Sequence, residues 1–229
     1  MKHRALFATL IACVLILSMG SDAFAQNKRV GTAAATELLI PIGGRDLAMG
    51  GSGIASSQGL EAIYWNPGGL GRLGHSAEAM FSTMSYIANL GVTYGAVGAS
   101  FGEFGVVALS VKSLTFGDIN VTTVDDPDGL GGRFFSPTFV TAGLSFGRAL
   151  TDAVSVGGTV KVVSEQIDRV SASAVAFDFG VQYHRLGGIN GLAIGVAVKN
   201  IGSRMKFEGF STCLLMSAGE LPIMLRWRM

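Results

Sequence analysis

From about residue 77 onward, apolar and polar positions alternate with period two over stretches of about ten residues, each broken by a turn signal. In residues 173–184 the odd positions carry Val175, Phe177, Phe179, Val181 and Tyr183, and the even positions carry Ala174, Ala176, Asp178, Gly180, Gln182 and His184. Leu192, Ile194, Val196 and Val198 alternate in the same way with Ala193, Gly195, Ala197 and Lys199. So do Val154, Val156, Val160 and Val162 with Ser155, Gly157, Thr159 and Lys161, and Val140, Ala142, Leu144 and Phe146 with Thr141, Gly143, Ser145 and Gly147. A helix would scatter these residues over both of its faces. Weaker versions run through residues 77–86, 90–101 and 105–114, and a last one through 221–229. The pattern predicts about eight strands, most of about ten residues or more, which is longer than the roughly 5–6 of an ordinary strand and close to the roughly 9–11 of a membrane-spanning one.

Period two does not say which face is inside, so a soluble periplasmic β-sandwich or a lipocalin-like binding protein shares the pattern with a transmembrane barrel. The polar face separates them. A sheet surface facing water carries many Lys, Glu and Arg, whereas these faces are mostly Gly, Ala, Ser and Thr, as in a crowded lumen whose apolar counterpart meets lipid. Composition points the same way: 49% of residues are hydrophobic and 14% charged, against about 25% charged in an average soluble domain. Links of unequal length assign the sides. Those at 102–104, 149–153 and 185–190 are short, and the long ones at 115–135 and 202–220 fall on the opposite side with the links at 87–89 and 167–171. Short periplasmic turns and longer extracellular loops are the habit of outer-membrane barrels. The expected fold is all-β, an antiparallel transmembrane β-barrel in contact with outer-membrane lipid.

The first 25 residues read as a cleaved signal peptide. Lys2, His3 and Arg4 form a basic start, residues 5–19 an apolar stretch, and Ala23-Phe24-Ala25 before Gln26 a small-residue cleavage motif. The apolar stretch is shorter than the roughly 20 residues of a spanning helix. Leu10-Ile11-Ala12-Cys13 resembles a lipoprotein box, but the apolar run continues past Cys13 to Met19. Removing residues 1–25 leaves the rest formally neutral with Cys213 as its one cysteine, which excludes an internal disulfide and offers nucleic acid no basic stripe. Cell outer membrane is the expected location.

Residues 26–76 break the strand pattern and are rich in glycine. They hold Arg45-x-x-x-Met49-Gly50-Gly51 and Asn66-Pro67-Gly68-Gly69-Leu70, followed by the alternating strands. This combination resembles the PorV/PorQ family of outer-membrane proteins, which is similar to the FadL type of long-chain fatty-acid transporter with its own Asn-Pro element in an N-terminal hatch. The resemblance extends from about residue 31 to about residue 209 and takes in Asp118, Asp125-Asp126-Pro127-Asp128-Gly129 and Lys199-Asn200-Ile201-Gly202. It implies a FadL-like barrel with a hatch at 26–76 and a wall from 77–229. The implied hatch motif, structural or gating, is Gly43, Gly44, Arg45, Asp46, Met49, Gly50, Asn66 and Pro67. Two roles follow from the resemblance: passage of hydrophobic small molecules, or a component of a protein secretion system that meets other secretion proteins. Family barrels that enclose a hatch need more strands than eight, and an eight-stranded interior is just filled by side chains. The strands present are therefore expected to form part of a larger wall.

Other chemistry is sparse. His75 and His184 have no ligand-type neighbours at metal spacing, and no zinc site is expected. Asp125, Asp126 and Asp128 before Gly129 offer oxygen ligands for a weak loop cation site, with an acidic surface turn as the plainer reading. The paired glycines lack the Gly-Lys-Ser/Thr ending of a phosphate loop, and no nucleophile elbow appears. No enzyme activity and no cofactor are expected. Arg45, Asp46 and Asn66 are expected to pin the hatch, because buried polar groups on a plug must find partners on the wall.

Overall fold

The computed structural model describes residues 35–209. The expected signal peptide, the first part of the expected hatch, Cys213 and the expected strand at 221–229 lie outside the described residues. The described chain has two parts, a leading segment of short helical turns and an all-β antiparallel sheet.

The strands are β1 (Ala77–Ser85), β2 (Gly91–Ser100), β3 (Val106–Thr115), β4 (Ile119–Asn120), β5 (Phe134–Phe135), β6 (Thr138–Ala149), β7 (Val154–Ile167), β8 (Val170–His184), β9 (Ala193–Gly202) and β10 (Phe207–Gly209). The main sheet is a meander in the order β1-β2-β3-β6-β7-β8, with β9 and β10 following one another along the outer edge of β8. β4 and β5 form a small hairpin inside the long link between β3 and β6. Alternation predicted the long strands closely, because a half-buried strand must keep its period.

Three details differ. β7 and β8 run 14 and 15 residues and meet at a two-residue turn, Asp168-Arg169, where a wider link was expected. Their extra residues pass unnoticed in sequence because the outward positions there are Ser164, Gln166, Ser171 and Ser173 rather than apolar ones. The expected long link from residue 202 contains β10, whose residues pair with Val170–Ala172 of β8. Among the described links, side-to-side asymmetry thus rests chiefly on the excursion carrying β4 and β5.

Register lines the strands into rows. On one face, Phe81, Gly95, Val111, Ala142, Val162 and Val175 form a continuous row, and Ala79, Val97, Leu109, Leu144, Val160 and Phe177 form the next. A third consists of Ala77, Ala99, Val107, Phe146, Gly158 and Phe179. All three are apolar or glycine, and nothing described covers them: Phe81 is 75% exposed, Leu109 57% and Phe179 56%. Toward the long link the character changes abruptly. The following row is Thr83, Thr93, Ser113, Val140, Ser164 and Ser173, and the one beyond is Ser85, Gly91, Thr115, Thr138, Gln166 and Ser171.

The other face carries Ser110, Lys112, Thr141, Ser145, Thr159, Glu165, Asp178 and Gln182, all buried. The leading segment covers it. An apolar cluster of Ile42, Leu60, Ile63 and Leu70 packs there on Tyr94, Ala96, Val106 and Ala108 of β2 and β3. Leu60 and Leu70 are fully buried, a burial that stabilises by about 1.5–3 kcal/mol for each such side chain.

Candidate functional site

The contact between the leading segment and the sheet centres on Asn66. Asn66 caps the 3₁₀ helix Pro67–Arg72, its side-chain oxygen accepting the N–H of Gly68 at 3.0 Å. Asn before Pro suits this start, since the amide caps a free N–H and the proline ring fixes the first helical φ. The side-chain amide then donates to the carbonyls of Ile54 at 2.7 Å and Val181 at 3.0 Å, with that of Val196 at 3.4 Å. Val181 and Val196 are register partners on β8 and β9. One fully buried amide therefore ties the helix, the preceding loop and two strands together.

The close approach needs glycine on the sheet. Gly147, Gly157 and Gly180 are register neighbours on β6, β7 and β8, on the covered face. A Cβ at Gly180 would overlap the Asn66 side-chain oxygen, one at Gly157 the Pro67 carbonyl, and one at Gly147 would lie 2.6 Å from the backbone of Gly71. A Cβ at Gly195 on β9 would likewise strike Ile54. The segment answers in kind, because a Cβ at Gly69 would collide with the Ser57 carbonyl. Beside this row the buried Gln182 donates to the carbonyls of Ser57 at 2.9 Å and Ile54 at 3.2 Å, and its oxygen faces a His184 ring nitrogen at 3.2 Å. Arg72 donates to the Asp152 carbonyl at 2.8 Å as the segment leaves the sheet.

Farther toward the long link the contact is charged. Lys161 of β7 pairs with Asp178 of β8 at 2.7 Å and donates to the Asn200 side chain at 2.5 Å. Asp178 also accepts the Asn200 N–H at 2.7 Å. Lys199 and Asn200 sit at an irregularity where β9 bulges opposite Asp178, with Asn200 at φ 59°. Asparagine tolerates this left-handed geometry better than most residues, and such bulges re-aim side chains. Lys199 accordingly reaches the face of Tyr64, its Nζ 3.7 Å from the ring centroid, and Lys112 lies 5.5 Å from the same ring. Tyr64 donates to the Leu39 carbonyl at 2.9 Å as a neutral phenol, its pKa pushed up to about 12 by burial and then by Asp178 and Tyr86. The neighbouring Trp65 ring nitrogen donates to the Ile42 carbonyl at 3.2 Å. These two aromatics hold the start of the segment.

The residues expected in the hatch motif separate on this geometry. Asn66 and Pro67 lie against the sheet. Asp46 is buried inside the segment, its N–H donating to Glu61 at 3.2 Å and its carboxylate against Gly53, without a hydrogen-bond partner among the described residues. Gly43, at φ 90°, faces Glu61 so closely that a Cβ would overlap it, and Gly50 takes a turn at φ 69°. Arg45, Gly44 and Met49 are exposed, and no partner of Arg45 on the sheet is found among the described residues. Asp126 closes its own loop, accepting the N–H groups of Leu130 at 3.0 Å and Gly131 at 2.6 Å. Asp125 and Asp128 are exposed, and no group of three ligand-type side chains is gathered tightly enough for a metal among the described residues.

Sequence reasoning missed the sheet's half of this contact: Gly147, Gly157, Gly180, Gln182, Lys161 and Lys112. Their signal was present as polar and glycine residues on the small face of the strands. What was missing is the pairing, since glycine spread through strands reads equally well as curvature. No protein-family model, curated protein or solved structure matches the chain.

Proposed function

We propose that the chain is an outer-membrane β-barrel protein of the PorV/PorQ type, in which residues 77–209 supply wall and the leading segment is a hatch seated in the lumen. The observation that carries this reading is the inversion of the sheet. Its polar face is packed and hydrogen-bonded, and three consecutive rows of its apolar face are bare. Soluble monomers rarely leave apolar patches larger than a few hundred Å² uncovered, whereas a lipid-facing band requires one. On β8 the apolar positions from Val175 to Tyr183 cover about 27 Å along the strand at the usual rise. A soluble β-sandwich or lipocalin-like protein would bury this face and wet the other.

The hatch gives the protein its activity in this reading, the passage of hydrophobic solutes. A cavity of about 300 Å³ at the long-link end is lined by Leu39, Ile40, Tyr86, Leu90, Leu114, Phe116 and Phe139, with Thr36 and Glu37. Its apolar lining suits a hydrophobic solute better than a polar one. Heat-modifiable migration on a gel and recovery in the outer-membrane fraction are the expected results for the native protein; recovery in the soluble periplasm overturns the barrel. In a deletion strain the expected defect is reduced uptake of hydrophobic solutes. A defect in surface-protein secretion with normal uptake would instead establish the secretion-system role.

A further inference from the structure

The leading segment has a second attachment to the wall, unlike the one at Asn66. Glu37, in the 3₁₀ turn Thr36–Leu39, is 2% exposed, and neither carboxyl oxygen has a hydrogen-bond partner among the described residues. It faces Glu165 of β7, itself buried, which accepts the N–H of Ala35 at 2.7 Å. Ala35 stands at φ 58°, a left-handed geometry that a non-glycine residue keeps only when its surroundings hold it. Lys112 of β3 is the nearest ammonium, yet its hydrogen bonds go to backbone, the carbonyls of Glu37 at 2.5 Å and Ile40 at 2.7 Å. Two carboxyl groups thus meet in a buried space without a direct counter-ion contact to Glu37.

Like charges so placed do not both ionise cheaply, and a proton held between them relieves both repulsion and desolvation. A metal cation is the weaker solution, because only two carboxyl groups converge and Lys112 already places positive charge beside them. Of the other charged groups on the covered face, Lys161 of β7 is paired with Asp178 of β8, and Lys199 of β9 stands over the Tyr64 ring. Tyr86, from the link between β1 and β2, shares the adjoining cavity of about 300 Å³.

We propose that Glu37, buried against Glu165, is a proton-operated latch, which holds residues 35–40 on the sheet when its carboxyl carries a proton and releases them when that carboxyl ionises, while the Asn66 anchor stays closed. Burial first, and the facing Glu165 carboxyl after it, push the Glu37 pKa up from 4.5 to about 7. A raised carboxyl pKa means that the closed state binds the proton more tightly than the open one. The closed state is therefore favoured most below about pH 4.5, loses that advantage as pH rises, and has lost it above about pH 7. The latch concerns only the contact between segment and sheet, so its failure would leave the barrel reading untouched.

Hydrogen exchange on the full chain in detergent micelles, corrected for intrinsic rates, tests it at pH 5.5 and pH 8. The reporters are the amides of Leu38 and Ile40, which donate to Ala35 and Glu37, with those of Asn66 and Gly69 as reference. The expected result is an opening constant at Leu38 and Ile40 greater by on the order of tenfold at the higher pH, no comparable change at the reference amides, a flat profile in Glu37→Gln, and a smaller change in Glu165→Gln, where burial alone still favours the proton on Glu37. Equal protection at both pH values, an equal change at Gly69, or an unaltered profile in a folded Glu37→Gln variant overturns the latch. Should neither variant fold, carboxyl ¹³C titration of the unaltered protein decides: a midpoint for Glu37 near 7 upholds the latch, and one near 4.5 overturns it.

Discussion

The two faces of the main sheet are made from the same strands by the same alternation, yet they obey opposite rules. On the covered face small and polar residues are packed: Ser145 and Thr159 share a hydrogen bond at 2.8 Å, and the glycine row at 147, 157 and 180 admits the backbone of the leading segment. On the bare face three rows of Val, Leu, Phe, Ala and Gly meet nothing described, then give way to two rows composed mainly of Ser and Thr. Adjacent residues can therefore differ completely in what they tolerate. Gly157 and Gly158 show it best, since a Cβ on the first would strike the Pro67 carbonyl and one on the second would have its nearest contact at an ordinary 3.4 Å.

The largest effect should come from a charge on the bare face. Val160→Arg, in the middle apolar row, is expected to destabilise folding into phospholipid vesicles by about 2–4 kcal/mol, and Gln166→Arg, beyond the hydroxyl boundary, by about 0–1 kcal/mol. Denaturant titration of both variants in the same vesicles checks the contrast, and equal costs would break it. Next comes the glycine pair. Gly157→Ala should destabilise by about 1–3 kcal/mol through overpacking, and Gly158→Ala should stay within about 0.5 kcal/mol; a matched pair of unfolding curves checks whether the segment seats against the sheet at Pro67, and equal costs would break that contact. Asn66→Ala follows at about 1–2 kcal/mol, from the lost cap and the carbonyls left without their donor. Its local signature is faster exchange at Gly68 and increased protease cleavage at residues 53–58, with the strands unaffected. The smallest effect is at the loop, where Asp126→Ala should cost under about 1 kcal/mol and leave both faces unchanged, as judged by thermal unfolding.

How far this contrast could be read in advance depends on what sets each feature. Strand positions were legible because they are local: Val175 to Tyr183 alternate whatever lies against them. The extension of β7 to Ile167 and the start of β8 at Val170 were less so, since the outward residues near that turn are polar and erase the apolar half of the alternation. The start of the 3₁₀ helix could be read from Asn66-Pro67, because capping is local too. Its partners could not. Val181, Val196 and Gln182 come to Asn66 through a register formed more than a hundred residues later, and Glu37 meets Glu165 in the same way. Arg45 was drawn in by its place in a motif, while its exposure depends on the path of the segment over the sheet.

The proposed outer-membrane role requires above all that the bare face meet lipid. Nitroxide side chains at Val160 and Leu144, and at Ser164 for comparison, introduced singly into protein lacking Cys13 and Cys213 and folded into vesicles, measure this through collision with oxygen and with a water-soluble nickel complex. High oxygen and low nickel accessibility at Val160 and Leu144, with nickel accessibility rising at Ser164, is the predicted result. Nickel accessibility at Val160 equal to that at Ser164 would place the apolar rows in water or against protein and contradict the account.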